Sequence, residues 1–392
     1  MIDDALSTAG VSEPPPAELG RPFRILFVCN RYLPELGGVE THVREVTQRL
    51  VGEKDFEITV LASDNSRMLP RTDVINGTRV VRVPAWPRQR DYRFAPQILK
   101  VVGQPGQWDL VHCQGIHSPV PVMAMVAARR AGIPYLVTFH TGGHSQALRN
   151  WLRPAQWRVL GPLLRGAVAL IGVSEFEAKT LSDDARLDRD SVRIIRNGGT
   201  LPPPAPGTLP VPGRIVSSGR LERYKGHHRV IEVLPDIISA VPDAHLVILG
   251  SGPYESELVK LATRLRVADR VTIRSIDPAN RAEMANALAE ASVVASFSDY
   301  EAHPVGIMEA LSVGRPVVGY MTSGVAELVG DGWVYGVDPR SARPEVVKQI
   351  VAAMSSPPLI DPADLPTWDG CVKELSELYR NLASVSLNLD SG

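Results

Sequence analysis

The segment Leu201-Pro-Pro-Pro-Ala-Pro-Gly-Thr-Leu-Pro-Val-Pro-Gly213 decides the fold. Proline fixes φ and removes a backbone donor, so the stretch forms neither a helix nor a central strand and reads as a semi-rigid linker. On its N-terminal side, apolar runs at 23–29, 57–61, 78–83, 109–112, 134–138, 167–173 and 192–195 alternate with helical patterns. On its C-terminal side the alternation restarts, with strand signals at 214–218, 245–249, 271–273, 291–297 and 316–319. Continuous apolar runs separated by amphipathic helices mark parallel strands buried on both faces. Two such arrays around a proline-rich joint predict an α/β protein of two doubly wound, Rossmann-like domains facing one another across a cleft. The implied boundaries are a disordered tail at 1–20, domains at 21–200 and 214–364 with the linker 201–213 between them, and a final amphipathic helix at 365–385.

A length of 392 residues exceeds one typical core, and 44% hydrophobic with 22% charged residues is a globular composition. Lys plus Arg (42) nearly cancels Asp plus Glu (43), so no global basic field points to nucleic acid. The cysteines, Cys29, Cys113 and Cys371, are scattered and odd in number, which suits a reducing cytoplasm better than a disulfide framework. Residues 1–20 lack a signal-peptide core, and no apolar run is long enough to span a bilayer. The stretch 148–165 sets Arg149, Arg153, Arg158 and Arg165 among Trp151, Trp157, Leu160 and Leu164. Such a face either makes weak peripheral contact with an anionic inner-membrane surface or packs on its own domain with its arginines solvated, and Pro154 interrupts it.

Open α/β sheets bind ligands beyond the carboxyl ends of their strands, so the loops there carry the candidates. Between the apolar run 291–297 and a helical pattern ending at Gly314, Glu301 and Glu309 bracket a strand-to-helix crossover. Spacing alone allows an acid–base pair or two binding groups. Gly37-Gly38 precedes a helix, where free amides favour an anion or simply make a βα turn. His140 ends another strand and suits a sugar hydroxyl, proton transfer or a structural hydrogen bond. Arg220 and Lys225 share one loop, as a diphosphate site or a solvated charged turn. Asp188-Arg189-Asp190 offers too few ligands for a hard cation and reads as a cap.

In order along the chain, these motifs resemble the retaining, nucleotide-sugar-dependent glycosyltransferases of family 4, which have the GT-B fold. The resemblance rests on Gly37-Gly38-Val39-Glu40, Thr138-Phe139-His140, Gly172-Val-Ser174, Asn197-Gly198, Gly219-Arg220-Leu221 with Lys225-Gly226, Gly250-Ser-Gly252-Pro253, Glu301 and Glu309 with seven residues between them, and Gly314-Arg-Pro316-Val317. It implies a UDP- or GDP-sugar donor, a carbohydrate, lipid-linked or small-molecule acceptor, and no metal or other cofactor. Arg220 and Lys225 would hold the donor diphosphate, Glu309 the ribose, Glu301 the donor-sugar hydroxyls, and His140 would lie near the reacting centre. Gly37, Gly38 and the run His303, Pro304, Val305, Gly306 would touch phosphate or sugar, and Ile276 in the loop 274–277 would meet the base. Relatives commonly carry Gly-aromatic-Gly where this chain has Ala302-His303-Pro304, which leaves donor identity open and places a proline, without an N–H, at an expected first helical position. A non-catalytic nucleotide-sugar binder and another GT-B enzyme, such as an epimerase, are the alternatives.

Overall fold

The computed structural model describes residues 21–35, 37–87, 93–140, 157, 160–277 and 279–390. The expected tail at 1–20 and most of the basic stretch 148–165 lie outside the described residues; residues 160–164 are helical. The first sheet comprises β1 (Phe23–Cys29), β2 (Phe56–Asp64), β3 (Thr72–Ile75), β4 (Thr78–Pro84), β5 (Leu110–Gln114), β6 (Tyr135–Thr138), β7 (Ala169–Gly172) and β8 (Val192–Ile194). Its strand order is β3-β4-β2-β1-β5-β6-β7-β8. Every neighbour is parallel except the β3–β4 hairpin, which turns at Asn76-Gly77 with φ of 49° and 80°. Two consecutive left-handed residues match the twist of a tight hairpin.

The second sheet comprises β9 (Arg214–Ser218), β10 (His245–Leu249), β11 (Val271–Arg274), β12 (Val293–Ser296), β13 (Val317–Tyr320) and β14 (Tyr335–Val337). All its pairings are parallel and its order is β11-β10-β9-β12-β13-β14. Strand order therefore reverses between β9 and β12, and in the first sheet between β1 and β5. The loops at the carboxyl ends of those pairs diverge, which opens a crevice in each half.

Besides the helical residues 160–164, the α-helices among the described residues are α1 (Gly38–Leu50), α2 (Gln97–Val102), α3 (Pro119–Ala131), α4 (Glu175–Ala185), α5 (His227–Ala240), α6 (Glu255–Arg264), α7 (Arg281–Ala289), α8 (Val305–Ser312), α9 (Ser323–Gly330), α10 (Arg343–Met354) and α11 (Trp368–Asp390). Residues 195–213 carry neither helix nor strand. Where that joint begins, an added Cβ on Gly198 would fall 2.1 Å from the Trp368 amide nitrogen, and one on Gly199 2.1 Å from Met308 Cβ. Only glycine fits between the start of α11 and the flank of α8. The helix α11 returns to the N-terminal half, burying Trp368, Val372, Leu375 and Tyr379 in the cluster that holds Phe27, Val43 and Leu50. Among the described residues no helix is long and apolar enough to cross a membrane.

Candidate active site

The apolar strand β9 ends at Ser218, and residues 219–226 form the loop that carries both predicted cations. Neighbouring backbone fixes this loop: Gly219 N–H donates to Leu249 O (3.0 Å), Leu221 N–H to Ser251 O (3.0 Å), and Tyr254 N–H to Leu221 O (2.9 Å). His227, at the start of α5, braces it from beneath. Its Nε2 lies 3.2 Å from Arg220 O and its Nδ1 2.8 Å from Ser217 Oγ. A carbonyl only accepts, so Nε2 carries the proton and Nδ1 accepts from the hydroxyl. Burial lowers the His227 pKa to about 4, which keeps that neutral tautomer at physiological pH.

Lys225 Nζ lies 2.6 Å from Glu301 Oε1, which also accepts from Ser298 Oγ at 2.8 Å. Burial by itself would depress the lysine, yet the charge and hydrogen bond of Glu301, with the nearby Tyr224 and Glu222, together outweigh it and the net pKa is raised. The Glu301 backbone is held as firmly as its side chain: its N–H donates to Ser323 Oγ at 2.8 Å, and its carbonyl accepts from Gly324 N–H at 2.8 Å. Arg220 Nη2 lies 2.8 Å from Glu222 Oε1 within its own loop.

Pro304 is the residue before α8, with φ −76° and ψ 99°, not its first helical residue as expected from sequence. Its extended ψ starts the helix one residue later, so the missing N–H is not taken from the first-turn amides of Val305 and Gly306. Those are the donors a helix leaves without an internal acceptor. Gly306 faces the end of β9, its Cβ position 3.8 Å from Ser218 O. His303 is 6% exposed, and neither ring nitrogen meets a partner among the described residues. Burial lowers its pKa to about 4. Glu309, on the second turn of α8, pairs with Arg281 of α7. Burial raises its pKa and Arg281 opposes that rise. Each carboxylate thus has its own cation, Lys225 for Glu301 and Arg281 for Glu309. Ile276 is half-buried in the loop after β11, packed on the cluster containing Leu249 and Leu288.

In the N-terminal half, Gly37 is the N-cap of α1 and is extended, while a Cβ on Gly38 would meet nothing within 4 Å. Glu40 in the first turn accepts from Arg31 Nε at 2.8 Å. His140 follows β6 with φ of 50°, and its Nε2 lies 2.8 Å from Gln114 Oε1 at the end of β5. Its ring centroid is 4.5 Å from that of His42, whose Nδ1 is 2.7 Å from Asn197 Oδ1. Burial, with the neighbouring His42 and His112, holds the His140 pKa well below the ordinary histidine range. A neutral imidazole donates at one nitrogen and accepts at the other. Asp188 accepts from Asp190 N–H at 3.2 Å, capping a 3-10 turn. Sequence reasoning did not single out Gln114, His42, Arg281 or Ser323, because each acquires its role from a residue far away in sequence; His227 marked only the start of a helix, and its bonds to Ser217 and Arg220 depend on how the strand end and loop fold back. Ser298 stood in the crossover stretch without a role.

The two halves also meet around α8. Met308 packs on Gly199, and the charges of Arg44 and Glu45 on α1 act on Glu309. Two Rossmann-like sheets, each with charged or glycine-bearing loops beyond its switch point, make the two-domain architecture shared with glycosyltransferases of GT-B fold. The family models described as "Glycosyltransferase Family 4" and "Glycosyl transferases group 1" match residues 36–199 and 210–359, and the chain belongs to the family 4 glycosyltransferases of GT-B fold. It is 26% identical over 336 residues to a GDP-mannose-dependent alpha-(1-6)-phosphatidylinositol monomannoside mannosyltransferase of Mycolicibacterium smegmatis, covering 79% of this chain and 83% of that one. It is 27% identical over 371 residues to a glycogen synthase of Mycobacterium tuberculosis, covering 87% of each. The structure of HepE from Anabaena in complex with UDP and glucose superposes with a TM-score of 0.72 at 19% identity, over 92% of this chain and 100% of that one.

Proposed function

We propose that this enzyme is a retaining transferase that moves a sugar from a UDP- or GDP-sugar to an acceptor hydroxyl without a metal ion. The observation that carries the reading is the Lys225–Glu301 pair at the β9/β12 switch point. An ammonium has three donors, so Lys225 can keep Glu301 in place while directing the others at a diphosphate. As the bond from the anomeric carbon to the diphosphate oxygen breaks, negative charge collects on the diphosphate and positive character on the sugar. Arg220, Lys225 and the amides of Val305 and Gly306 supply fixed positive charge and donors to the leaving group, the role a cation would otherwise fill. Glu301 accepts from donor-sugar hydroxyls and Glu309 from the ribose, while His140 contributes a neutral imidazole from the opposite domain. The acceptor oxygen then bonds to the anomeric carbon on the face that the diphosphate leaves, and its hydroxyl proton passes to the departing diphosphate oxygen, which keeps the electron pair of the broken bond. A glycan, a glycolipid, a polyol or a natural-product aglycone would each supply such an oxygen, and the names of the relatives make phosphatidylinositol glycolipids and glucans the first acceptors to try.

Thermal-shift titration with UDP and GDP, with and without EDTA, tests the donor site, because a ligand that binds only the folded state raises its stability by mass action. Turnover of GDP-mannose and UDP-glucose in EDTA, with the anomeric configuration of the product read by NMR, tests metal independence and retention. Arg220→Ala and Glu309→Ala proteins that kept full turnover would sink the reading, and donor isomerised without acceptor would replace it with an epimerase.

A further inference from the structure

The helix α9 has one end on the donor-sugar loop and the other on the opposite domain. At its start, Ser323 Oγ accepts from Glu301 N–H at 2.8 Å, Gly324 N–H donates to Glu301 O at 2.8 Å, and Thr322 Oγ1 donates to Ser298 O at 2.9 Å. The contact is close enough that a Cβ on Gly324 would fall 1.9 Å from Ala302 O. Ser323 holds φ of 46°, a left-handed conformation uncommon outside glycine, which these bonds keep in place. One turn later, Glu327 reaches the N-terminal domain. Its Oε2 accepts from Phe176 N–H in the first turn of α4 at 3.0 Å, and its Oε1 from Arg196 Nη2 at 2.8 Å. A carboxylate on free amides at a helix start also has the favourable end of the helix dipole. The ring of Phe176 meets that of Tyr300, the residue before Glu301, edge-on at 5.7 Å. Glu327 is only 12% exposed at its side chain, so water does little to weaken its two bonds.

We propose that Glu327 is a positioning residue through which closure of the two domains sets the Glu301–Lys225 pair. With the domains together, Arg196 and the start of α4 anchor Glu327, and the rigid first turn of α9 fixes the Glu301 backbone and, through it, the carboxylate on Lys225. When the domains separate, Glu327 loses both partners and the crossover loop loses its external anchor. The inference rests on the reading of Glu301 and Lys225 as donor-site groups.

The test uses the full chain with Glu327→Ala, Glu327→Gln, Arg196→Ala and the double Arg196→Ala/Glu327→Ala. Expected are a donor turnover rate (GDP-mannose or UDP-glucose) lowered about tenfold or more in Glu327→Ala, UDP and GDP affinities within about threefold of wild type, and partial retention in Glu327→Gln, which keeps one acceptor oxygen. The double variant should be little worse than Glu327→Ala alone, because Arg196 acts through that carboxylate, whereas Arg196→Ala by itself leaves the bond from Phe176 N–H. Small-angle scattering should show a larger radius of gyration for Glu327→Ala than for wild type. Unchanged turnover, additive losses, an unchanged radius of gyration, or a loss of nucleotide affinity and melting temperature as large as the loss of turnover would each overturn the proposal. Failure of wild type to bind UDP or GDP would instead refute the donor-site reading, and the scattering comparison would still decide whether Glu327 holds the domains together.

Discussion

Replacing Lys225 by alanine separates what the Lys225–Glu301 pair does for the fold from what it does for the reaction. The side chains are 20% and 15% exposed, and the hydrogen bond between them is 2.6 Å. A charged hydrogen bond contributes about 1.5–3 kcal/mol, and partial exposure keeps this one below the 3–5 kcal/mol lost when a fully buried pair is broken. Glu301 keeps the Ser298 hydroxyl and its backbone anchors, which limits the damage further. The melting temperature should therefore fall by only a few degrees, at about 2–4 °C per kcal/mol for a chain with domains of this size. The effect on chemistry should be larger. Removing one preorganised donor from a developing oxyanion costs roughly 10²–10³ in kcat, and losing a charged contact to the diphosphate weakens nucleotide binding about tenfold to a hundredfold. Initial rates of donor turnover and scanning fluorimetry with UDP and GDP measure the two effects separately. Lys225→Arg, which keeps the charge, should recover most of the stability and part of the rate. If Lys225→Ala lost the few degrees but kept kcat within about threefold, Lys225 would be a structural partner of Glu301 and its diphosphate role would be refuted.

His303→Leu should raise the melting temperature of the ligand-free protein by a degree or more, since it replaces buried ring nitrogens that have no partner among the described residues by a comparable apolar side chain. The same change should weaken donor binding, seen as a smaller nucleotide-sugar shift; a stabilised variant with unchanged donor affinity would remove His303 from the donor site. A second expectation concerns acid. His42, His227 and His303 have pKa values lowered to about 4, chiefly by burial, against 6.5 for the free side chain. Between those values the unfolded chain binds more protons than the folded one, so stability is fully present above pH 6.5 and is lost as pH falls toward 4. Each histidine contributes on the order of 1.4 kcal/mol per pH unit within that window, which a melting series from pH 7.5 to 4.5 would read as a steepening decline. A flat profile over that range would contradict the buried, neutral state of these rings.

How much of this was legible in the chain differs by element. The prolines from Pro202 to Pro212 exposed the joint because proline excludes regular structure locally, whatever surrounds it. The strands β1, β5, β9 and β12 were visible as apolar runs because a buried parallel strand needs no partner to declare its composition. Ser174, in the motif Gly172-Val-Ser174 already quoted from the sequence, caps α4, its Oγ accepting from Glu177 N–H at 3.1 Å. The hairpin strand β3 went unread although Asn76-Gly77 marks its turn, since its half-exposed residues give no apolar run. Short elements such as α2, α9 and β14 escaped for another reason: each spans too few residues for a period to emerge.

The chain by itself determined two βα arrays, their joint, and the loops in which Arg220, Lys225, His140, Glu301 and Glu309 fall. Those are consequences of local periodicity and of proline and glycine chemistry, which act over a few residues. Only the tertiary structure decided partnership: that Glu301 pairs with Lys225 and Glu309 with Arg281, that His140 meets Gln114 and His42, and that Glu327 spans to Arg196. Those contacts join residues separated by up to 131 positions, as between Arg196 and Glu327. No local pattern encodes them, because the register of two sheets and the way two domains face each other is set by the packing of the whole chain.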